Sequence, residues 1–188
     1  AALVLLSPFV PMLFQGEEWG ARTPFLYFTD HDDPELADAV RTGRRAEFAA
    51  FGWRPEDVPD PQAVETFERS QLDWSELGDA AHARLLDWHR SLIALRRRTD
   101  DLLDSRPGHV RVEVDVDRAW LVMTRGAVHV AANLSGQPQD VPLPDDRSLS
   151  CELSSQPVEL RSPGVVLPAH SVAVLTPTHP GWVLRADG

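Results

Sequence analysis

The segment Gln15-Gly16-Glu17-Glu18-Trp19-Gly20 places two carboxylates and an indole directly after the apolar run Met12-Leu13-Phe14. Carboxylate pairs are the tools of glycoside hydrolysis, where a retaining mechanism needs a nucleophile and an acid about 5–5.5 Å apart across the scissile bond. Glu17 and Glu18 are poorly arranged for that work, because neighbours in an extended segment point to opposite faces. The pattern suits binding better. Glu18, in preference to Glu17, is a candidate to hydrogen-bond sugar hydroxyls or a neighbouring side chain, and Trp19 offers an apolar face to a pyranose ring. A strand end that only holds its fold closed accounts equally for these residues.

Just downstream, Phe25, Tyr27 and Phe28 can either wall a sugar site or anchor the loop that carries them. Anchoring is expected for two of the three, and Phe28 is the candidate for contact with a ligand. Asp30-His31-Asp32-Asp33 sets an imidazole among carboxylates, which is compatible with a metal cluster or acid–base work. A solvated loop that caps the next helix at Asp33-Pro34 is the preferred reading. Arg41, Arg44 and Arg45 alternate with Asp38 and Glu47 as a mixed-charge helix surface that needs no anion, and Arg44 can equally brace the loop through a carboxylate. The single cysteine, Cys151, cannot form an internal disulfide and reads as a small, at least half-buried hydrophobe in a strand. No Cys/His metal spacing, phosphate loop, nucleophile elbow or basic aromatic stripe occurs, so no metal, cofactor or nucleotide is expected.

Several elements must position these residues. Ala1 to Leu6 reads as the end of a buried helix, and Pro8 with Pro11 forces extended backbone into a buried strand at Met12-Leu13-Phe14. Charged residues at the end of such a strand mark the functional face of a barrel. Arg22 to about Gln71 is irregular apart from a helical patch around Glu35 to Phe51, and long loops of this kind line active sites. Asp79 caps a helix to about Arg98, with Leu85, Trp88, Leu92 and Leu95 on one face and Arg96-Arg97-Arg98 against its C-terminal dipole. After Pro107-Gly108 the period becomes two, with strands around Val110–Val116, Trp120–Thr124, Val128–Ala132, Ser150–Leu153, Val165–Leu167 and Val172–Leu175. The expected fold is therefore α/β followed by all-β: residues 1–104 as the last strand, long loop and last helix of an incomplete (β/α)8 barrel, and residues 105–188 as an antiparallel β-sandwich.

The 188 residues carry a formal net charge of −11, which disfavours nucleic acid and anionic membrane surfaces as partners and leaves neutral ligands open. The opening apolar run stops at Ser7-Pro8 and fits neither a signal peptide nor a membrane span, and one cysteine fits a reducing cytoplasm.

The order of elements resembles the end of an α-amylase-superfamily enzyme (glycoside hydrolase family 13), where the eighth barrel strand and helix precede an all-β domain. Leu5 to Gly20 is similar to the eighth-strand segment of the maltooligosyltrehalose trehalohydrolase family. Thr23–His31, Val40–Phe48, Pro59–Gln62, Thr66-Phe67, Leu72–Trp74 and Trp88–Arg98 continue that resemblance, which is weaker over the sandwich. Glycogen branching enzymes share Gly-x-Glu at this strand and are the nearest alternative. The resemblance implies a bacterial, cofactor-free hydrolase that cleaves the α-1,4 bond beside the terminal trehalose of a maltooligosyl trehalose, with retention. It also implies that the catalytic carboxylates lie upstream, because a barrel takes typically ~250 residues. A reading from a different class is a non-catalytic carbohydrate-binding sandwich that stacks sugars on Trp120 or Trp182, although the apolar neighbours of Trp120 favour a core role.

Overall fold

A computed structural model of the chain describes residues 1–144 and 148–178. Among them are five α-helices: α1 (Ala2–Leu5), α2 (Pro34–Ala49), α3 (Val64–Glu68), α4 (Ala80–Arg98) and α5 (Asp100–Leu103). Eight strands follow: β1 (Val110–Asp115), β2 (Trp120–Arg125), β3 (Val128–Asn133), β4 (Gln139–Pro142), β5 (Leu149–Ser154), β6 (Glu159–Arg161), β7 (Gly164–Leu167) and β8 (Ser171–Pro177). The chain divides into two groups, residues 1–14 with the described residues from Arg84 onward, and residues 15–83. The sequence switches from helix to strand between Leu103 and Val110, yet α1, most of α4 and α5 group with the strands.

Apolar burial explains that grouping. The strands form two antiparallel sheets, ordered β1-β2-β3-β8-β5 and β4-β7-β6. Between the sheets lie Trp120, Val122, Ala131, Val141, Val165, Leu167, Ala173 and Leu175. The other face of the larger sheet offers Met123, Val128, Val130 and Val174 to Leu5 and Leu6 of the α1 segment, Leu92 and Leu95 of α4 and Leu102 of α5. With both faces covered, β3 is buried at every position, its polar His129 and Asn133 included. Trp120 is core, so it offers no surface for a sugar, and Trp182 lies outside the described residues.

Two arginines complete this core. Arg125 is 2% exposed. Its guanidinium donates to the carbonyls of Leu6 at 2.7 Å, Ser7 at 2.9 Å and Asp104. Arg96 donates to the carbonyls of Leu5, Ser7 and Phe9. A helix leaves its last carbonyls unpaired, and these side chains satisfy those of Leu5 and Leu6 at the end of α1 and reach on to Ser7 and Phe9 beyond it. Burial lowers the pKa of both arginines from the ordinary guanidinium value.

The strand expected at Met12-Leu13-Phe14 is not formed. No described strand pairs with this stretch, and Met12 is 87% exposed while Leu13 packs half-buried against the helix–sheet core. An extended segment becomes a strand only when a neighbour takes up its N–H and C=O groups. In β1 the two-residue period is right but the face is inverted: Val112 and Val114 are exposed, while Glu113 and Asp115 are half-buried.

Candidate functional site

The Gly16–Gly20 segment is a tight turn instead of the extended strand end expected from sequence. Gly16 and Gly20 have φ of 83° and 70°, in the left-handed region, and Glu17–Trp19 between them form one 3₁₀ turn. At Gly16 an added Cβ would lie 2.6 Å from the Ala21 Cβ, so both backbone and space require glycine there. Consecutive side chains in a 3₁₀ turn diverge by about 120°, so Glu17 and Glu18 still do not converge on one bond. Glu17 is exposed and Glu18 half-buried. One carboxylate oxygen of Glu18, Oε2, is buried without a hydrogen-bond partner among the described residues.

Trp19 is a buttress in place of the open sugar platform anticipated. The side chain is 2% exposed, its indole N–H donates to Glu76 Oε2 at 3.2 Å, and its ring centroid lies 5.0 Å from that of Trp74. Glu76 also accepts from the Arg22 amide at 3.2 Å. His82, in the opening turn of α4, sits with Nδ1 2.6 Å from the Trp19 carbonyl oxygen. A carbonyl only accepts, so Nδ1 carries the proton. Glu76 and His82 thus hold the turn that presents Glu17 and Glu18, and sequence reading missed both. They stand 54 to 63 residues from their partners, and no local pattern marks such a contact.

The loop beyond the turn is fastened residue by residue. The Leu26 amide donates to Ser70 Oγ at 3.0 Å and the Thr29 amide to the Pro61 carbonyl at 2.8 Å. Arg44 lies between the rings of Tyr27 and Phe48, 4.7 Å from each centroid, and pairs with Glu47 at 2.7 Å. This cation–π sandwich gives Tyr27 an anchoring role. Phe28 touches Phe25 at 6.1 Å and Phe67 at 5.2 Å between ring centroids and remains 36% exposed.

The Asp30–Asp33 run behaves as a loop and cap. Asp33 accepts from the Glu35 amide at 2.9 Å and the Leu36 amide at 3.4 Å, which starts α2 one residue on, at Pro34. His31 is tied through its backbone to Gln62. Arg41 bridges Asp38 at 3.0 Å and Asp60 at 2.7 Å, so Arg41, like Arg44, serves ion pairs. Burial alone would raise the Asp60 carboxyl, but the Gln62 amide and the Arg41 guanidinium outweigh it and hold its pKa below the ordinary value. In the other group, Cys151 is a half-buried residue of β5 whose pKa is raised by burial. Among the described residues no group of three His, Cys, Asp or Glu side chains is placed to hold a metal ion, and no helix is long and apolar enough to cross a membrane.

Comparison with known proteins adds an independent line. A family model described as a domain of unknown function, DUF3459, matches residues 105–174. Malto-oligosyltrehalose trehalohydrolase from Mycobacterium tuberculosis (strain CDC 1551 / Oshkosh) is 43% identical over 180 residues, which is 96% of this chain and 30% of that protein. The enzyme of the same name from Brevibacterium helvolum is 53% identical over 135 residues, 72% of this chain and 23% of its own length. The chain spans about 30% of the length of the mycobacterial relative. Among solved structures, a candidate alpha amylase from Salmonella typhimurium is similar at a TM-score of 0.73 and 35% identity, over 93% of this chain and 29% of that one. A pullulanase from Anoxybacillus sp. LM18-11, complexed with maltotetraose, shares the fold at a TM-score of 0.57 and 16% identity, over 94% of this chain and 22% of that one.

Proposed function

We propose that this chain is the C-terminal portion of a malto-oligosyltrehalose trehalohydrolase, a glycosidase that cleaves the α-1,4 bond next to the terminal trehalose of a maltooligosyl trehalose. The observation that carries this reading is identity of 43% across nearly the whole chain to relatives of that name. The amylase-like fold and the fastened acidic turn agree with it.

In this reading residues 1–104 are the closing part of a (β/α)8 barrel and residues 105–188 its C-terminal sandwich. Retaining hydrolysis needs a nucleophile and an acid facing each other across the bond. Glu17 and Glu18 diverge within one turn, which supports catalytic carboxylates in other segments of the complete enzyme. The contribution of this chain is to bind. Glu18 keeps a buried carboxylate oxygen without a partner among the described residues, a costly arrangement that suits acceptance of a sugar hydroxyl. Trp19 acts through its packing, holding the turn in register, and Phe28 supplies apolar surface beside the substrate. No cofactor enters this reading of the chemistry, and the single cysteine is compatible with a cytoplasmic setting.

The test is trehalose release from maltooligosyl trehalose, measured with the 188-residue chain and with the product of the complete gene. Release by the complete protein only is the expected result. Release by the short chain would place the catalytic carboxylates within it, and silence in both would overturn the assignment.

A further inference from the structure

We propose that Phe28, Phe67 and Asp30 form a pocket that holds one glucosyl residue of an α-glucan, an inference that rests on the carbohydrate-processing reading above. A cavity of about 320 Å³ opens between the Phe28–Asp30 stretch and α3, lined by these three residues with Thr29, Gln62 and Val64. Ligand pockets run from about 300 to 1,000 Å³, so this one has the size for a single ring and not for a chain of them.

The lining chemistry selects a neutral, hydroxylated ring. Phe28 and Phe67 pack edge-on, 5.2 Å between centroids, and remain 36% and 45% exposed. Apolar ring surface of that kind covers the C–H face of a pyranose. Gln62 is already engaged, accepting from Thr29 Oγ1 at 2.6 Å and donating to the His31 carbonyl at 3.2 Å. Asp30 is exposed and has no partner among the described residues, which leaves its carboxylate to accept from sugar hydroxyls. No lysine or arginine lines the cavity, so an anionic ligand has nothing to pair with.

Hydrogen bonds also hold the pocket on both sides. On one wall the Thr29 amide is bonded to the Pro61 carbonyl, and the same stretch is stitched to Gln62. On the other, Thr66 Oγ1 donates to the Asp60 carbonyl at 2.6 Å and Ser70 Oγ to the Thr66 carbonyl at 2.9 Å, which fixes α3 and with it Phe67. A preformed wall spares the ordering cost that a flexible loop would add on binding a glucan.

The experiment uses the product of the complete gene, with maltotriose and maltopentaose as probes in titration calorimetry, alongside the steady-state kinetics of trehalose release. Phe67→Ala should weaken binding and raise KM about tenfold with kcat little changed, the signature of lost ground-state contact. Phe67→Tyr should retain affinity. Asp30→Asn, at an exposed position where folding is not at stake, should weaken binding about threefold to fivefold. Unchanged affinity in Asp30→Asn and in folded Phe67→Ala would overturn the pocket while leaving trehalose release intact. Conversely, a wild-type protein that binds maltooligosaccharides through these residues but releases no trehalose would retain the pocket and overturn the assigned reaction.

Discussion

The two groups of the chain hold their aromatic and charged residues in opposite ways. In the group of helices and sheets, Trp120 is sealed between sheets and even Arg125 is 2% exposed, its donors spent on backbone carbonyls. In residues 15–83, Tyr27, Phe28, Phe51, Trp53 and Phe67 all stay at the surface, and the segment is fixed by hydrogen bonds and ring contacts instead of a continuous core. The contrast separates two physical tasks. Burial of apolar area stabilises a fold without regard to direction, whereas directional bonds fix exposed side chains where a ligand can reach them.

The largest test of that contrast is truncation in the first group. Leu92→Ala, at a fully buried site of α4, should cost about 2–5 kcal/mol in urea unfolding, while Phe51→Ala at a 75% exposed site should stay within about 0.5 kcal/mol. Equal costs would erase the distinction. Next in size, Arg125→Met preserves much of the aliphatic stem but strands three carbonyls, and should cost about 1–3 kcal/mol in the same assay. A neutral outcome would mean that water replaces the guanidinium freely.

Smaller again, Glu76→Ala should cost about 1 kcal/mol and shift tryptophan emission to the red as Trp19 loses its indole acceptor and the Trp19–Trp74 pair loosens. Unshifted emission would show that packing alone keeps Trp19 in place. The smallest effect is acid-dependent. Asp60 has a folded pKa below its ordinary 3.8, so it contributes stability above that pH and loses it as pH falls through the folded value. Asp60→Asn should flatten the acid limb of stability below about pH 4; an unchanged limb would assign it to other carboxylates.

Local rules made α2 and α4 legible, because a capping aspartate and an apolar stripe of helical period lie within the segment itself. The long strands were read from β-branched runs for the same reason. β4 and β6 escaped: one is four residues ending in proline, the other three exposed residues, and each exists through its pairing with β7. β1 shows the limit of periodicity, since alternation fixes which residues share a face but not which face is covered. Residue types marked Glu17–Trp19 as a candidate site but not as a turn, and the burial of Trp19 depends on Trp74, Glu76 and His82, whose approach is set by tertiary folding. Phe67 was passed over because a five-residue helix carries no periodic signal.

The arginine bonds to the α1 segment also have a meaning for protein synthesis. Arg125 meets Leu6 across 119 positions, and Arg96 meets Phe9 across 87. At a translation speed of about 5–20 residues per second, the first helix waits roughly 6–24 s before the second of its arginine partners has been made. Throughout that interval Leu5 and Leu6 lack the sheet that buries them, so the nascent chain carries an uncovered apolar stretch that a chaperone can recognise.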